Sequence, residues 1–196
     1  MATNDEYGLF WNSESGDRKY DADSFEKWLK HFFTSGVFAN ELKVSASSGM
    51  NVAISSGYCN VDGKVQIFDG ATLAIDTADS TRSRIDNIVI ERDDSERKIV
   101  LKAVKGNYTS GTAPDRVWSN GVYQLVIARV AVASGITAIT DAMITDTRAD
   151  DNLCGIVTGT VEEVSFSDLV TQFTAEFEEW FDGMKDQLTT DAAGEL

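Results

Sequence analysis

The sequence predicts a mainly β fold, an antiparallel sandwich or barrel-like module with a short N-terminal helix and a long C-terminal helix, α+β overall. Three observations predict it. Between about residues 40 and 150, apolar and polar residues alternate with a period of two, as half-buried strands require. Asp62-Gly63 sits between two such runs, which is the composition of a tight hairpin turn. On either side of this zone the apolar period lengthens to that of a helix.

Residues 1–39 form the first zone, an N-terminal segment and a docking helix. Leu9-Phe-Trp-Asn-Ser-Glu-Ser-Gly-Asp-Arg is turn-like after a short apolar stretch. Asp21-Ala-Asp-Ser opens a helix, with Asp23 or Ser24 as its N-cap. Phe25, Trp28, Leu29, Phe32 and Phe33 follow at helical spacing and give one strongly apolar face. Gly36 stands where a C′ glycine would end the helix. About three turns are too few for stability in isolation. The aromatic face is therefore expected to dock on the chain's own sheet or on a partner subunit.

Residues 40–150 form the β module. Leu42-Lys-Val and Met50-Asn-Val-Ala-Ile alternate. Gly57-Tyr-Cys-Asn-Val and Lys64-Val-Gln-Ile-Phe flank the Asp62-Gly63 turn. Arg84–Arg92 and Lys98–Lys105 make a second hairpin around the polar turn Asp93-Asp-Ser-Glu. Gly106 to Asn120 reads as a long polar loop holding the only proline, Pro114. Tyr123–Val132 is apolar enough to lie centrally in a sheet. Ser134-Gly135 closes it, and Ile139 to Ile144 is a further short element.

Residues 151–196 are read as an extended linker and a stalk-like helix. Ser165 opens that helix. Phe166, Val170, Phe173, Phe177, Trp180, Met184 and Leu188 follow at steps of four and three, close to a 3.5-residue seam over about three heptads. Acidic residues surround the seam, and Lys185 is the only base after Arg148. An oligomerisation seam of Phe166, Val170, Phe173, Phe177, Trp180 and Met184 is expected. The product would be a homo-oligomer, with a trimer favoured. Like charges on the copies would make association strengthen with salt or falling pH. The tail ends without a polar cap, as if something longer began there.

Composition narrows the function. The chain of 196 residues has one His, two Cys and a formal net charge of −15. A four-ligand Cys/His zinc site has too few residues to build it, and a His-based triad could use only His31. Nucleic acid binding needs clustered cations, so no nucleic acid partner is expected. Leu125–Ala133, the longest apolar run, falls far short of the roughly 20 residues of a spanning helix, so no membrane association is expected. The N-terminus lacks the apolar core of a secretory signal. Two Cys are no disulfide framework, which suits synthesis in a reducing cytoplasm.

Candidate chemical groups read blandly. His31 has no orienting carboxylate or nucleophile marked in sequence, so a surface or partly packed side chain is the better reading. Cys59 and Cys154 read as small buried thiols. Asp146, Asp150 and Asp151 could supply oxygen ligands to calcium, but the glycine and terminal glutamate of an EF-hand loop are missing. A turn in which Asp146 caps and Arg148 pairs with it is preferred. No phosphate-cradling motif is present, and no carboxylate pair is singled out for glycoside hydrolysis. No catalytic residue, cofactor or metal is expected.

Several segments together resemble a known group. They are Asn12-Ser-Glu-Ser-Gly-Asp-Arg-Lys-Tyr-Asp-Ala with Phe25 and Gly36-Val-Phe; Arg84-Ile-Asp-Asn-Ile-Val; and Ile144-Thr-Asp-Thr-Arg-Ala-Asp-Asp-Asn-Leu-Cys-Gly-Ile-Val-Thr-Gly. The set resembles the N-terminal module of structural proteins from tailed phages and prophages of Gram-positive bacteria, described variously as baseplate, tail-fibre or receptor-binding-region proteins. The resemblance reaches to about Trp180, and its last segment is the most specific. It implies a non-enzymatic part of the virion tail or baseplate. Such a module fixes a distal fibre or adhesin to other tail or baseplate proteins. In related proteins the chain continues past the helix into a stalk or fibre. The competing expectation is a carbohydrate-binding module that contacts a host surface glycan, with Tyr108, Trp118 and Tyr123 as its aromatic platform. A wall-polysaccharide hydrolase is the weakest expectation.

Overall fold

A computed structural model describes residues 14–15, 22–109, 111–160, 171 and 173–185. The chain divides into two compact units, Met1–Val157 and Thr158–Leu196. In the first unit, helix α1 (Ala22–Phe32) precedes eleven strands: β1 (Gly36–Val37), β2 (Val44–Ala46), β3 (Asn51–Ile54), β4 (Gly57–Val61), β5 (Lys64–Phe68), β6 (Ala71–Ala74), β7 (Arg84–Asp93), β8 (Lys98–Val104), β9 (Trp118–Ser119), β10 (Val122–Val132) and β11 (Ile144–Asp146). A single 3₁₀ turn, Asp141–Met143, leads into β11.

The antiparallel β class is as expected, but its arrangement differs. The strands form three sheets, ordered β2-β3-β6, β1-β4-β5 and β11-β10-β7-β8, with β9 paired to β10. Among the described residues no sheet closes into a barrel, and three antiparallel sheets pack around one core. All three sheets feed it: Val52 and Ile54 from the first, Val37, Cys59 and Val61 from the second, Ile88, Ile90, Leu125, Ile127 and Val130 from the third. β10 is central, as its apolar run requires, and its pairing with β7 shifts register between Val126 and Ala128.

Local chemistry sets the hairpins. Asp62 and Gly63 both take positive φ, 52° and 83°, which is the two-residue turn whose twist matches antiparallel strands. Val61 then faces Lys64, and β4 and β5 pair in register to Gly57 and Phe68. The β7–β8 turn is held by Asp93, whose Oδ1 accepts from the Ser95 amide at 2.9 Å and hydroxyl at 2.6 Å and from the Glu96 amide at 3.1 Å.

Three expectations are corrected. Helix α1 begins at Ala22, so neither Asp23 nor Ser24 is its N-cap; Asp23 lies in the first turn, where a carboxylate suits the helix dipole. Gly36 does not cap the helix. The helix ends at Phe32, and Gly36 starts β1 where a Cβ would run into the Gly155 carbonyl. The Gly106–Asn120 loop contains a short strand, since Trp118–Ser119 pairs with Tyr123 and Val122 across an Asn120-Gly121 turn.

Candidate functional site

Three groupings stand out among the described residues: a charged seat beneath α1, a set of latches made from the resembling motifs, and exposed apolar faces.

The seat centres on Glu26, whose side chain is only 12% exposed. Its carboxylate bridges Lys30 at 3.0 Å, Lys64 at 2.6 Å and Arg92 at 2.9 Å. Lys30 also reaches Asp62 at 2.7 Å. Arg92 donates to the carbonyls of Asp62 at 2.8 Å and Val61 at 3.2 Å, and pairs with Asp94 at 2.6 Å. Burial would raise the Glu26 pKa, but hydrogen bonds from Lys64, Lys30 and Arg92 outweigh it and hold the group at about 2. Lys30 is likewise opposed by burial and raised by Asp62 and Glu26. Gly63 makes the seat possible, because a Cβ there would lie 2.7 Å from the Glu26 carbonyl oxygen and 2.8 Å from Lys30 Cγ. Beside the seat opens a cleft of about 610 Å³, lined by Asp23, Lys64, Gln66, Arg92, Asp94 and Ile99 among others. Glu26, Lys64, Arg92 and Asp94 on its wall are joined in ion pairs that lock the helix onto two hairpins.

On the face expected to dock, Phe25 and Phe32 are 47% and 42% exposed, and Trp28 tilts against Phe32 at 5.1 Å. Glu26 and Lys30, on another face, tie α1 to the hairpins. Sequence reading missed this hub because its members lie far apart in the chain.

The resembling motifs are latches. Arg84 and Asp86 are buried and paired at 2.9 Å. Asp86 also accepts from the Gly106 amide at 2.8 Å, and Arg84 donates to the Asp76 and Thr77 carbonyls at 2.5 and 3.1 Å. Asn87 donates to the Pro114 carbonyl at 2.8 Å. Thr147 donates its hydroxyl to the Val126 carbonyl at 2.5 Å. Arg148 donates to the Glu41 carbonyl at 2.6 Å while Asp146 holds its guanidinium at 2.7 Å. That hydrogen bond from Arg148 lowers the Asp146 pKa and occupies the carboxylate a calcium ion would use. Among the described residues no group of three or more His, Cys, Asp or Glu is placed to hold a metal ion. The Cys154-Gly-Ile-Val stretch lies against β1, with Val37 paired in parallel to Ile156.

The aromatic residues of the glycan alternative do not form one platform. Tyr108 lies under Arg82 and Arg84, 4.5 and 5.5 Å from ring centre to guanidinium, near the start of β7. Tyr123 lies under Arg92 at 5.0 Å, with Trp118 edge-on to it at 5.3 Å. Arg84 and Arg92 are eight residues apart on β7, about 26 Å along the strand. An apolar strip that the sequence reading missed runs elsewhere: Phe38, Tyr58, Val65 and Ile67, each 40–54% exposed, on the outer face of the β1-β4-β5 sheet. Period-two alternation marks two faces without saying that both are apolar.

His31 is exposed in the last turn of α1. Cys59 and Cys154 are buried free thiols, and burial pushes each up to about 12, which leaves no thiolate for nucleophilic work near neutral pH.

In the second unit, residues 173–185 are helical and are designated α2. Phe166 and Val170 lie outside the described residues. Phe173, Phe177, Trp180 and Met184 are 71%, 54%, 57% and 39% exposed, and Phe181 joins them at 52%. Phe177 stacks on Phe181 at 6.2 Å and tilts against Trp180 at 5.8 Å. Among the described residues no helix is long and apolar enough to cross a membrane.

No family model matches the chain, and no curated protein matches it. Among solved structures, the crystal structure of the gene 22 product of the Bacillus subtilis SPP1 phage is similar over 55% of this chain and 77% of its own, at 15% identity and a TM-score of 0.31. A similarity of that size does not establish a shared fold.

Proposed function

We propose that this chain is a structural component of a phage or prophage tail or baseplate that fixes a fibre or receptor-binding part to the tail, without catalytic activity of its own. The observation that carries the reading is the use made of the resembling motifs. Arg84, Asp86, Asn87, Thr147 and Arg148 all spend polar groups on fastening distant backbone of the β unit. Residues arranged this way preserve a shape. A catalytic or glycan-reading set would aim polar groups into open space. The exposed aromatic face of α2 supplies the second part of the reading, a seam for assembly of several copies, three being favoured.

Gold-conjugated antibodies against the chain should label the tail end of purified particles of the encoding phage. Particles that lack the chain, or carry it on the head, overturn the proposal. Light scattering should give a mass near three times the 21.4 kDa of one chain.

A further inference from the structure

We infer that Gly183 is a socket that receives Met184 from a second copy of this chain, an inference that rests on the self-assembly of α2 proposed above. With Phe173 and Trp180 at d positions and Phe177 and Met184 at a positions, Gly183 falls at g, beside the seam. Glycine is the poorest helix former after proline. Yet Gly183 lies inside α2, is not in the positive-φ region, and a Cβ there would find nothing within 4 Å. Nothing within the chain's described residues calls for a missing side chain at this point. In a parallel bundle, an a-position knob seats beside the g residue of the neighbouring helix. Met184 of one copy would thus seat over Gly183 of the next, while Trp180 packs against the exposed ring of Phe181 at e. The bulk of that aromatic layer leaves the following layer tight, and methionine suits such an irregular gap.

Charge placement favours a second copy as the occupant. Glu178, Glu179 and Asp182 fall at b, c and f, pointing away from a neighbour, and only Glu176 at g flanks the seam. The seam itself is uncharged, so it is matched by another apolar seam and offers nothing to a basic partner.

The test is sedimentation equilibrium on the full chain with Gly183→Ala, Met184→Ala and the double variant. Alanine is a far better helix former, so a bare helical role predicts equal or tighter association for Gly183→Ala together with higher helicity by circular dichroism. A socket predicts higher helicity with association weakened about tenfold or more, because the added methyl overpacks the layer. It also predicts that Met184→Ala cancels most of that loss in the double variant. An oligomeric wild type whose association is unchanged or tightened by Gly183→Ala overturns the socket alone. A wild type that stays monomeric at high concentration overturns the assembly reading and the socket with it.

Discussion

Arg84 and Asp86, two residues apart on β7 and therefore on one face of it, form an ion pair whose side chains are 0% and 2% exposed. The pair is surrounded by backbone: Gly106 donates to Asp86, and Asp76 and Thr77 accept from Arg84. Removing one member strands the other without water. Arg84→Met should cost about 3–5 kcal/mol, read from the urea midpoint at unchanged slope. The double variant Arg84→Met/Asp86→Leu should recover part of that loss. A single variant that costs under about 1 kcal/mol would mean that water reaches the pair.

The seat of α1 should be sensitive to acid. Glu26 is held at about 2, below its unfolded value, so its contribution is full above about pH 5 and is lost as pH falls toward about 2. Near neutral pH, Glu26→Gln should cost about 2–3 kcal/mol, and the gap between variant and wild type should close on acidification. Unfolding followed by the fluorescence of Trp28, with the chain's other three Trp replaced by Phe, reads this at the helix itself. A gap that is the same at pH 3 and pH 7 would assign the stability to other contacts.

Gly63 and Gly121 separate two effects of adding a methyl group. Both have positive φ, 83° and 79°. At Gly121 the nearest atom to a new Cβ is Asp94 Cβ at 3.5 Å, ordinary contact, so Gly121→Ala should cost only the backbone strain of about 1 kcal/mol. At Gly63 the new atom meets α1 at 2.7 Å. Gly63→Ala should therefore cost about 1–3 kcal/mol more and, in the same single-tryptophan background, shift the Trp28 emission as α1 is displaced. Equal costs at the two positions would show that α1 does not need the close approach.

Neither thiol should react in the folded chain. Cys59 and Cys154 are both buried and both raised to about 12. Labelling with a thiol reagent at pH 8 should find none in native protein and both after denaturation. Rapid labelling of one in native conditions would point to local opening around β1.

How much of this was legible in the sequence depends on the range of the interaction. The Asp62-Gly63 hairpin, the β7–β8 hairpin and β10 are written in neighbouring residues, and they form within a residue or two of their expected limits. β6, Ala71–Ala74, has little polarity contrast along it, so no period emerges. β1 has two residues and exists only because β4 lies beside it. The Asn120-Gly121 turn was a readable signal, hidden by the polar residues around it. The candidate seat was not readable. Glu26, Lys64 and Arg92 are ordinary surface residue types, and only the fold brings Lys64 and Arg92 within 3 Å of Glu26. The motif residues were visible as a set, while their roles depended on carbonyls such as those of Glu41 and Pro114, which have no sequence signature.

Strand β1 ties the beginning of the β unit to its end. Val37 donates to the Gly155 carbonyl at 3.0 Å and accepts from the Val157 amide at 2.9 Å, with Cys59 opposite it on β4. β1 and the segment of residues 155–157 run parallel, so tension between the segment before Gly36 and the segment after Val157 pulls along them in opposite directions. Hydrogen bonds loaded in shear must break together, whereas bonds loaded in a peel break one at a time. Pulling on these two segments would load both Val37 bonds together, at a residue that is itself part of the core.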